Sequence, residues 1–288
     1  MANFLTLLFN GISEGAIIFL MASGLSIILG LLRVVNFAHG VLFIWGAYVF
    51  RMVVDVTGSW GLGIAAAAAT GFIMGAVFER VFISRTYGNV TGQILITLGL
   101  QIVFTELIRV AWGPTALPVE RPGFLQGLWN VNGVIIVHYR LFLIIVGIVV
   151  AVVGQFILRR TRVGMTIRAG VQNSEMVGAL GINIQRYFTM VFAVGGALAG
   201  LGGALFIPIN GMVSSEMGNA TQLLAFIVVI IGGMGNFAGS AVGSLFLGVM
   251  IALIGWTVPA ISLVAPVLLM ALVLIFRPAG LFRLVVRK

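Results

Sequence analysis

The chain contains no cysteine and a single lysine, and charged residues make up only 8% of it. Without cysteine there are no disulfides and no thiolate chemistry. The lone lysine, Lys288, leaves no phosphate-binding loop of the Gly-x-x-x-x-Gly-Lys type, so the chain is not expected to hydrolyse ATP. Two histidines without cysteine predict no metal site. No set of nucleophile, base and acid is recognisable, which argues against an enzyme.

Apolar residues are abundant instead. They make up 61% of the chain, its mean hydropathy is +1.20, and it contains 39 glycines. A soluble domain of this length needs a charged surface that this composition cannot supply, whereas glycine suits close helix packing in lipid. The net charge of +9 comes largely from arginines at the ends of apolar runs, so membrane topology explains it better than nucleic-acid binding. The composition predicts an all-α polytopic membrane protein.

Apolar runs of membrane-spanning length predict eight to ten transmembrane helices, with nine favoured. The first run is expected to be a structural span and not a cleaved leader, and it is long enough for one tilted helix or two short pieces. The seventh and eighth runs are either two spans or one broken span. The predicted helices cover about 4–32, 41–57, 61–79, 91–111, 140–158, 187–207, 221–235, 239–256 and 260–276.

The basic residues predict the orientation, because cytoplasmic loops carry an excess of arginine and lysine. With the polar segment 159–186 inside, the N-terminus lies outside, the C-terminus lies in the cytoplasm, and 112–139 is the main external loop. Arg51, Arg109, Arg121 and Arg140 then lie at or near the outer face. The residues predicted inside are Arg33, Arg80, Arg85, Arg159, Arg160, Arg162, Arg168, Arg186, Arg277, Arg283, Arg287 and Lys288.

A weak internal repeat places the same polar break after two apolar runs. Asn36-Phe-Ala-His-Gly40 follows the first, and Asn236-Phe-Ala-Gly-Ser240 follows a later one. Such breaks predict helices interrupted within the membrane near Asn36–Gly40 and Asn236–Ser240, whose free backbone and polar side chains line a path. Asn36, His39, Asn236 and Ser240 are the path candidates. The alternatives are ordinary turns or a chance match, with His39 helping Asn36 to cap a helix.

The longest polar interruption, 159–186, predicts a short helix exposed to the cytoplasm. Asn173 or Ser174 is its expected N-cap, Glu175 lies in its first turn, and Gly181 ends it.

Two carboxylates lie within predicted spans. Glu14 is roughly 15 Å along the first helix, at about 1.5 Å per residue, a depth at which a carboxylate should face protein or a water-filled path. It either pairs with a polar neighbour or contacts the amino end of a substrate. Glu106 and Arg109 are three residues apart and are expected to pair locally near the outer end.

Four segments resemble one family. They are Gly24 through Gly40 with Gly46-Ala47-Tyr48, Arg160-Thr161-Arg162-Val163-Gly164-Met165 through Leu180-Gly181-Ile182-Asn183, Ile231 through Gly235, and Arg277 through Phe282. In this order they resemble the permeases of branched-chain amino acid ABC importers, and the chain is most similar to the shorter permease, which carries the Asn-Phe-Ala-His-Gly signature.

The resemblance implies one permease domain over 1–288, with 159–186 as a loop that docks on an ATPase. A Glu-Ala-Ala-type sequence followed by glycine is typical of such coupling helices. Glu175 and Gly181 match it, whereas Met176 and Val177 replace the two alanines. The expected coupling residues are Gly164, Arg168, Glu175 and Gly181.

The resemblance also implies the partners. These are a homologous second permease, two cytoplasmic ABC ATPases that bind the ATP and magnesium, an external substrate-binding protein and membrane lipid, in a bacterial inner membrane. The chain itself has no expected cofactor. Its solute is a small polar molecule such as a branched-chain amino acid, with urea, amides and aromatic acids as alternatives. The competing function is a self-contained ion-coupled transporter or channel, for which only Glu14 and Glu106 offer carboxylates within spans.

Overall fold

The computed structural model describes residues 1–282, except for the side chains of Val171, Ser174 and Glu175. It confirms an all-α polytopic membrane protein. Seven of the described helices are long and apolar enough to cross a membrane, and two shorter apolar helices, α9 and α11, accompany them. The helices are α1 (Ala2–Leu32), α2 (His39–Thr57), α3 (Trp60–Val77), α4 (Val90–Trp112), α5 (His138–Arg160), α6 (Arg162–Gln172), α7 (Ser174–Ala179), α8 (Ile184–Asn210), α9 (Met217–Gly232), α10 (Phe237–Thr257) and α11 (Ala265–Phe276).

Most predicted spans correspond to one helix each. The first run forms a single helix of 31 residues, and the seventh and eighth runs form the separate helices α9 and α10. Helix α3 does not stop near residue 79, because its path continues through a π-helical turn, Phe78–Phe82, and a 3-10 turn, Ile83–Thr86. The polar segment 159–186 contains two helices, α6 and α7, where one was predicted.

Short antiparallel strands mark one end of the bundle. Strands β2 (Leu128–Val131) and β3 (Val134–Val137) form a hairpin, while β1 (Leu117–Pro118) pairs with β4 (Met212–Val213). We call this the hairpin end, and the opposite end, which carries α6 and α7, the loop end. Helix α1 runs from the hairpin end, where Thr6 bonds to Ile135 of β3, toward the loop end, and α10 runs in the opposite direction.

Helix α8 lies at the centre, because small residues on three of its sides let other helices approach closely. A Cβ atom added to Gly24 of α1 would collide with the carbonyl oxygen of Gly195, and one added to Gly196 would collide with that of Gly71 in α3. On α2, the carbonyl of Phe43 lies equally close to Gly203. The glycine pattern therefore packs helices within this chain, as small residues do in membrane bundles.

Candidate functional site

The first predicted break is a real interruption inside the bundle. Helix α1 ends at Leu32, Arg33 adopts a left-handed conformation, and α2 begins only at His39. The Nε2 atom of His39 lies 3.0 Å from the carbonyl oxygen of Met21. Met21 lies roughly 16 Å before the end of α1, at about 1.5 Å per residue. The segment that connects α1 to α2 therefore turns back along α1, and α2 starts within the bundle.

An asparagine bonds to the backbone at both breaks, as the N-cap of α10 at Asn236 and in the turn just before α2 at Asn36. The Oδ1 atom of Asn36 accepts a hydrogen bond from the amide of Ala38 at 3.0 Å, and Oδ1 of Asn236 accepts one from the amide of Gly239, also at 3.0 Å. Each side chain thus satisfies a backbone donor at a helix start. The side chain of His39 does not cap α2, so the capping role considered for it with Asn36 is wrong.

The second break and the start of α10 contact α1 shortly before the first break begins. The hydroxyl oxygens of Ser26 and Ser240 are 2.9 Å apart, and a Cβ atom on Gly30 would lie only 2.7 Å from the Cα atom of Gly235. Residues more than 200 positions apart in the chain are therefore in contact. We call the two breaks, 33–38 and 233–236, together with this contact on α1, the junction.

Gln222 of α9 holds the first break in place, and the sequence analysis missed it. Its Nε2 donates to the carbonyl of Asn36 at 3.1 Å, and its Oε1 accepts from the amide of Gly40. Both backbone groups are buried, and an unpaired backbone group in that position is unfavourable. The available signal was a glutamine directly before the apolar run 223–232 of α9.

Replacing Gln222 with leucine is expected to destabilise the protein. The change leaves the carbonyl of Asn36 and the amide of Gly40 without their partner, at about 1–3 kcal/mol for each unsatisfied buried group. The midpoint of thermal unfolding in detergent should fall clearly below that of Leu223→Ala, a change at an exposed neighbour. Equal midpoints for the two variants would show that Gln222 does not hold the break.

The four path candidates lie at or beside the junction. Asn36, His39 and Ser240 are almost completely buried, and Asn236 is partly exposed and donates from Nδ2 to the carbonyl of Phe282 at 3.0 Å. Nδ2 of Asn36 and Nδ1 of His39 have no hydrogen-bond partner among the described residues. In this conformation the side chains of His39 and Ser240 bond to α1, and the role of all four residues in lining a path stays a prediction.

Glu14 is separate from the junction and lies toward the hairpin end. It is partly buried and lines a cavity together with Arg140 of α5, whose charge attracts it. The carboxylate faces α5 and this cavity, and its place in a water-filled path stays a prediction.

Glu106 pairs with Arg109 as predicted, with 2.7 Å between Oε1 and Nη1. Arg109 also reaches Glu216 at 3.2 Å and the hydroxyl of Ser215 at 3.2 Å. This cluster lies near the hairpin end of α4. Glu106 is therefore not a carboxylate at the middle of the membrane, which weakens the ion-coupled alternative.

The polar loop is fixed to the end of α5. Thr161 caps α6 by accepting from the amide of Gly164 at 3.3 Å. The guanidinium of Arg168 donates to the carbonyl of Leu158, and a Cβ atom on Gly164 would collide with that same carbonyl. Gly164 and Arg168 therefore hold α6 against α5.

Helix α7 has the predicted ends. Oδ1 of Asn173 accepts from the amide of Met176 at 2.9 Å, which makes Asn173 the N-cap. Gly181 follows the helix with a φ of 78°, a left-handed conformation that glycine adopts without strain. The side chain of Glu175 lies outside the described part of the chain.

A buried carboxylate that the sequence analysis also missed ties α3 to the start of α8. Glu79, in the π-helical turn, is fully buried and accepts from Tyr87 at 3.0 Å, Gln185 at 2.8 Å and Thr189 at 2.5 Å. Burial, together with the neighbouring charge of Glu79, raises the pKa of Tyr87, so this hydroxyl remains a donor at neutral pH. We call these four residues the Glu79 clamp.

The chain matches the family described as branched-chain amino acid transport system permease component over residues 7–276. It is 28% identical to the high-affinity branched-chain amino acid permease BraD of Pseudomonas aeruginosa, over 97% of this chain and 95% of that protein. It is 27% identical to the permease LivH of Escherichia coli, over 87% of this chain and 85% of that protein. The xylose permease XylH of Escherichia coli is 30% identical over 62% of this chain and 44% of that protein. No solved structure matches the chain.

Proposed function

The chain belongs to the permease family of branched-chain amino acid transport systems, and on that premise we propose that it moves a branched-chain amino acid across a bacterial inner membrane by ATP-driven import. Two separate ATPase subunits bind and hydrolyse the ATP with magnesium, and an external protein delivers the solute. A homologous second permease completes the path. The proposed permease domain is the whole of 1–288.

The family match carries this proposal, and the position of the polar loop supports it. Helices α6 and α7 connect α5 to α8, and α8 packs against α1, α2 and α3. A partner that displaces α6 and α7 therefore pushes the central helix of the bundle. Transmission by rigid helices of this kind is a common way to couple two sites.

In the proposed mechanism, closure of the ATPases moves the loop segment that contains Gly164, Arg168, Glu175 and Gly181. The movement reaches the junction through α8, where Asn36, His39, Asn236 and Ser240 change their contacts and the opening of the path alternates. Glu14 belongs to the outer part of this path. The loop end then lies in the cytoplasm and the hairpin end outside, in agreement with the distribution of arginine.

Affinity purification of the tagged chain from its native membrane tests the assembly. We expect ATPase subunits and a second permease to co-purify, because the chain offers a docking loop but has no phosphate-binding motif. A chain that purifies without any ATPase and transports solute unaided would overturn the proposal in favour of the ion-coupled alternative.

Gly164→Leu is expected to uncouple the loop from the bundle. The side chain collides with the carbonyl of Leu158, so α6 must move away from α5. ATP-driven leucine uptake by the assembled transporter should fall by about tenfold or more, equivalent to about 1.4 kcal/mol of lost coupling. Gly99→Leu is the matched control, because a Cβ atom at Gly99 meets nothing within 4 Å. Uptake equal in both variants would contradict a coupling role for α6.

A further inference from the structure

A cavity of about 360 Å³ at the hairpin end has opposite charges in its wall. It lies between α1, α5 and α10, outside the junction. Glu14 and Arg140 supply the charges, Asn10 supplies further polar surface, and Leu7, Ile251 and Trp256 supply apolar surface. Its volume lies in the range of about 300–1,000 Å³ that is typical of small-molecule sites.

Close packing of α1 on α10 fixes the position of Glu14. A Cβ atom on Gly11 would lie 2.8 Å from the Cα atom of Val249, and one on Gly15 would lie 2.7 Å from that of Leu245. Gly11 and Gly15 thus let the backbones of α1 and α10 come into contact before and after Glu14. The carboxylate is therefore carried on a helix segment that has little freedom to move.

Glu14 and Arg140 attract each other but do not form a direct ion pair. The ion pairs among the described residues are Arg51–Asp55, Arg109–Glu106 and Arg109–Glu216, so Glu14 and Arg140 form no direct pair there. Arg140 donates only a long bond, 3.4 Å, from Nη1 to the carbonyl oxygen of Asn10. Both head groups retain capacity for a ligand that carries the complementary charges.

From this arrangement we propose that the cavity binds a zwitterionic α-amino acid with an apolar side chain, at the outer opening of the path. The carboxylate of Glu14 accepts the ligand's ammonium group, and the guanidinium of Arg140 donates to its carboxylate in the fork geometry that arginine favours. The side chain packs on Leu7, Ile251 and Trp256. This inference rests on the proposed function and adds to it the residues that recognise both ends of the solute.

An α-amino acid fits this wall better than a singly charged solute. An amine alone would leave Arg140 without a carboxylate, and a carboxylic acid alone would leave Glu14 without a cation. Leaving a partly buried charge without its partner is unfavourable. The cavity should therefore discriminate against both of these analogues, while the apolar wall favours an aliphatic side chain over a polar one.

Because the chain contains no cysteine, a single cysteine can be introduced into the cavity and labelled specifically. Ala252 lines the cavity and Leu263 is 90% exposed at the same end without lining it, so Ala252→Cys is the probe and Leu263→Cys the matched control. Each is introduced into the assembled transporter in lipid nanodiscs. The rate of modification by a polar maleimide is then measured with and without L-leucine, isopentylamine or 4-methylpentanoate.

We expect L-leucine at ten times its dissociation constant to slow modification at Ala252→Cys about tenfold, because only the unoccupied site reacts. The two analogues should protect far less, and the control should not be protected. Adding Glu14→Gln or Arg140→Gln should abolish protection, while both variants still assemble with their ATPases. Absence of protection, equal protection by the analogues, or protection unchanged in both variants would overturn the site.

These results separate the site from the proposed function. A transporter that drives ATP-dependent leucine uptake but shows no protection keeps its function and loses this site. A transporter that shows no ATP-dependent uptake refutes the function, and the labelling still decides independently whether the cavity binds an amino acid.

Discussion

Gly196→Val is expected to prevent the central bundle from forming. The new side chain collides with the backbone of Gly71, where α8 crosses α3, and a backbone carbonyl cannot move aside as a flexible side chain can. The cost should exceed the roughly 1–3 kcal/mol that is usual for an overpacked core. The yield of monodisperse protein after detergent extraction should therefore fall strongly, and what remains should unfold at a lower temperature.

Gly99→Val is the control for this experiment. It makes the same replacement within a helix, but a Cβ atom at Gly99 meets nothing within 4 Å and the site faces outward from the bundle. We expect a near-normal yield from it. Equal yields from the two variants would show that α3 and α8 do not cross at their glycines.

Glu79→Leu is expected to break the connection between the π-helical turn and the start of α8. The change removes the acceptor for Tyr87, Gln185 and Thr189, and of these donors Tyr87 and Thr189 are partly buried. Hydrogen bonds to a charged group contribute about 1.5–3 kcal/mol each, although several around one group are not additive. The thermal midpoint should fall, and ATP-driven uptake should fall with it because α8 follows the coupling loop.

Two further variants make the result specific to the Glu79 clamp. Glu79→Gln keeps one side-chain oxygen acceptor, so we expect a loss between those of wild type and Glu79→Leu. Glu106→Gln changes a carboxylate of the exposed hairpin-end cluster and should leave stability nearly unchanged, since exposed ion pairs contribute little. A Glu79→Leu protein as stable and as active as Glu106→Gln would contradict the role of the clamp.

Local signals in the sequence predicted the features that depend on neighbouring residues. Asn173 and Gly181 mark the ends of α7 because an N-cap and a left-handed glycine act within a few residues. Asn236 marked the start of α10 for the same reason, and Asn36 lies in the turn just before α2. Apolar run length placed a helix at each of the nine predicted runs, and seven of these helices are long enough to cross a membrane.

Features that depend on distant segments were not predictable in this way. Nothing near Gln222 in the sequence indicates the backbone of Asn36 and Gly40 that it binds. Arg140 was assigned only to topology, and its position beside Glu14 emerges when α5 packs on α1. Each contact requires two helices to meet, and a single sequence records the pattern of each helix but not which faces meet.

Two differences in helix length have local causes. Helix α11 starts at Ala265 and not near residue 260, because Pro259 opens a separate 3-10 turn and Pro266 lies in the first turn of the helix. Helix α3 was expected to end near residue 79, but the π-helical turn at Phe78–Phe82 extends its path while directing Glu79 toward α8. Apolar patterning alone does not separate a helix end from a change in helical pitch.

Leucine uptake into proteoliposomes tests the import mechanism most directly. The assembled transporter, with its external binding protein, is reconstituted and supplied with ATP on the side that carries α6 and α7. We predict that leucine accumulates only with hydrolysable ATP on that side, and that imposed proton or sodium gradients do not replace it. Accumulation by the purified chain alone, driven by such a gradient without ATP, would contradict the account.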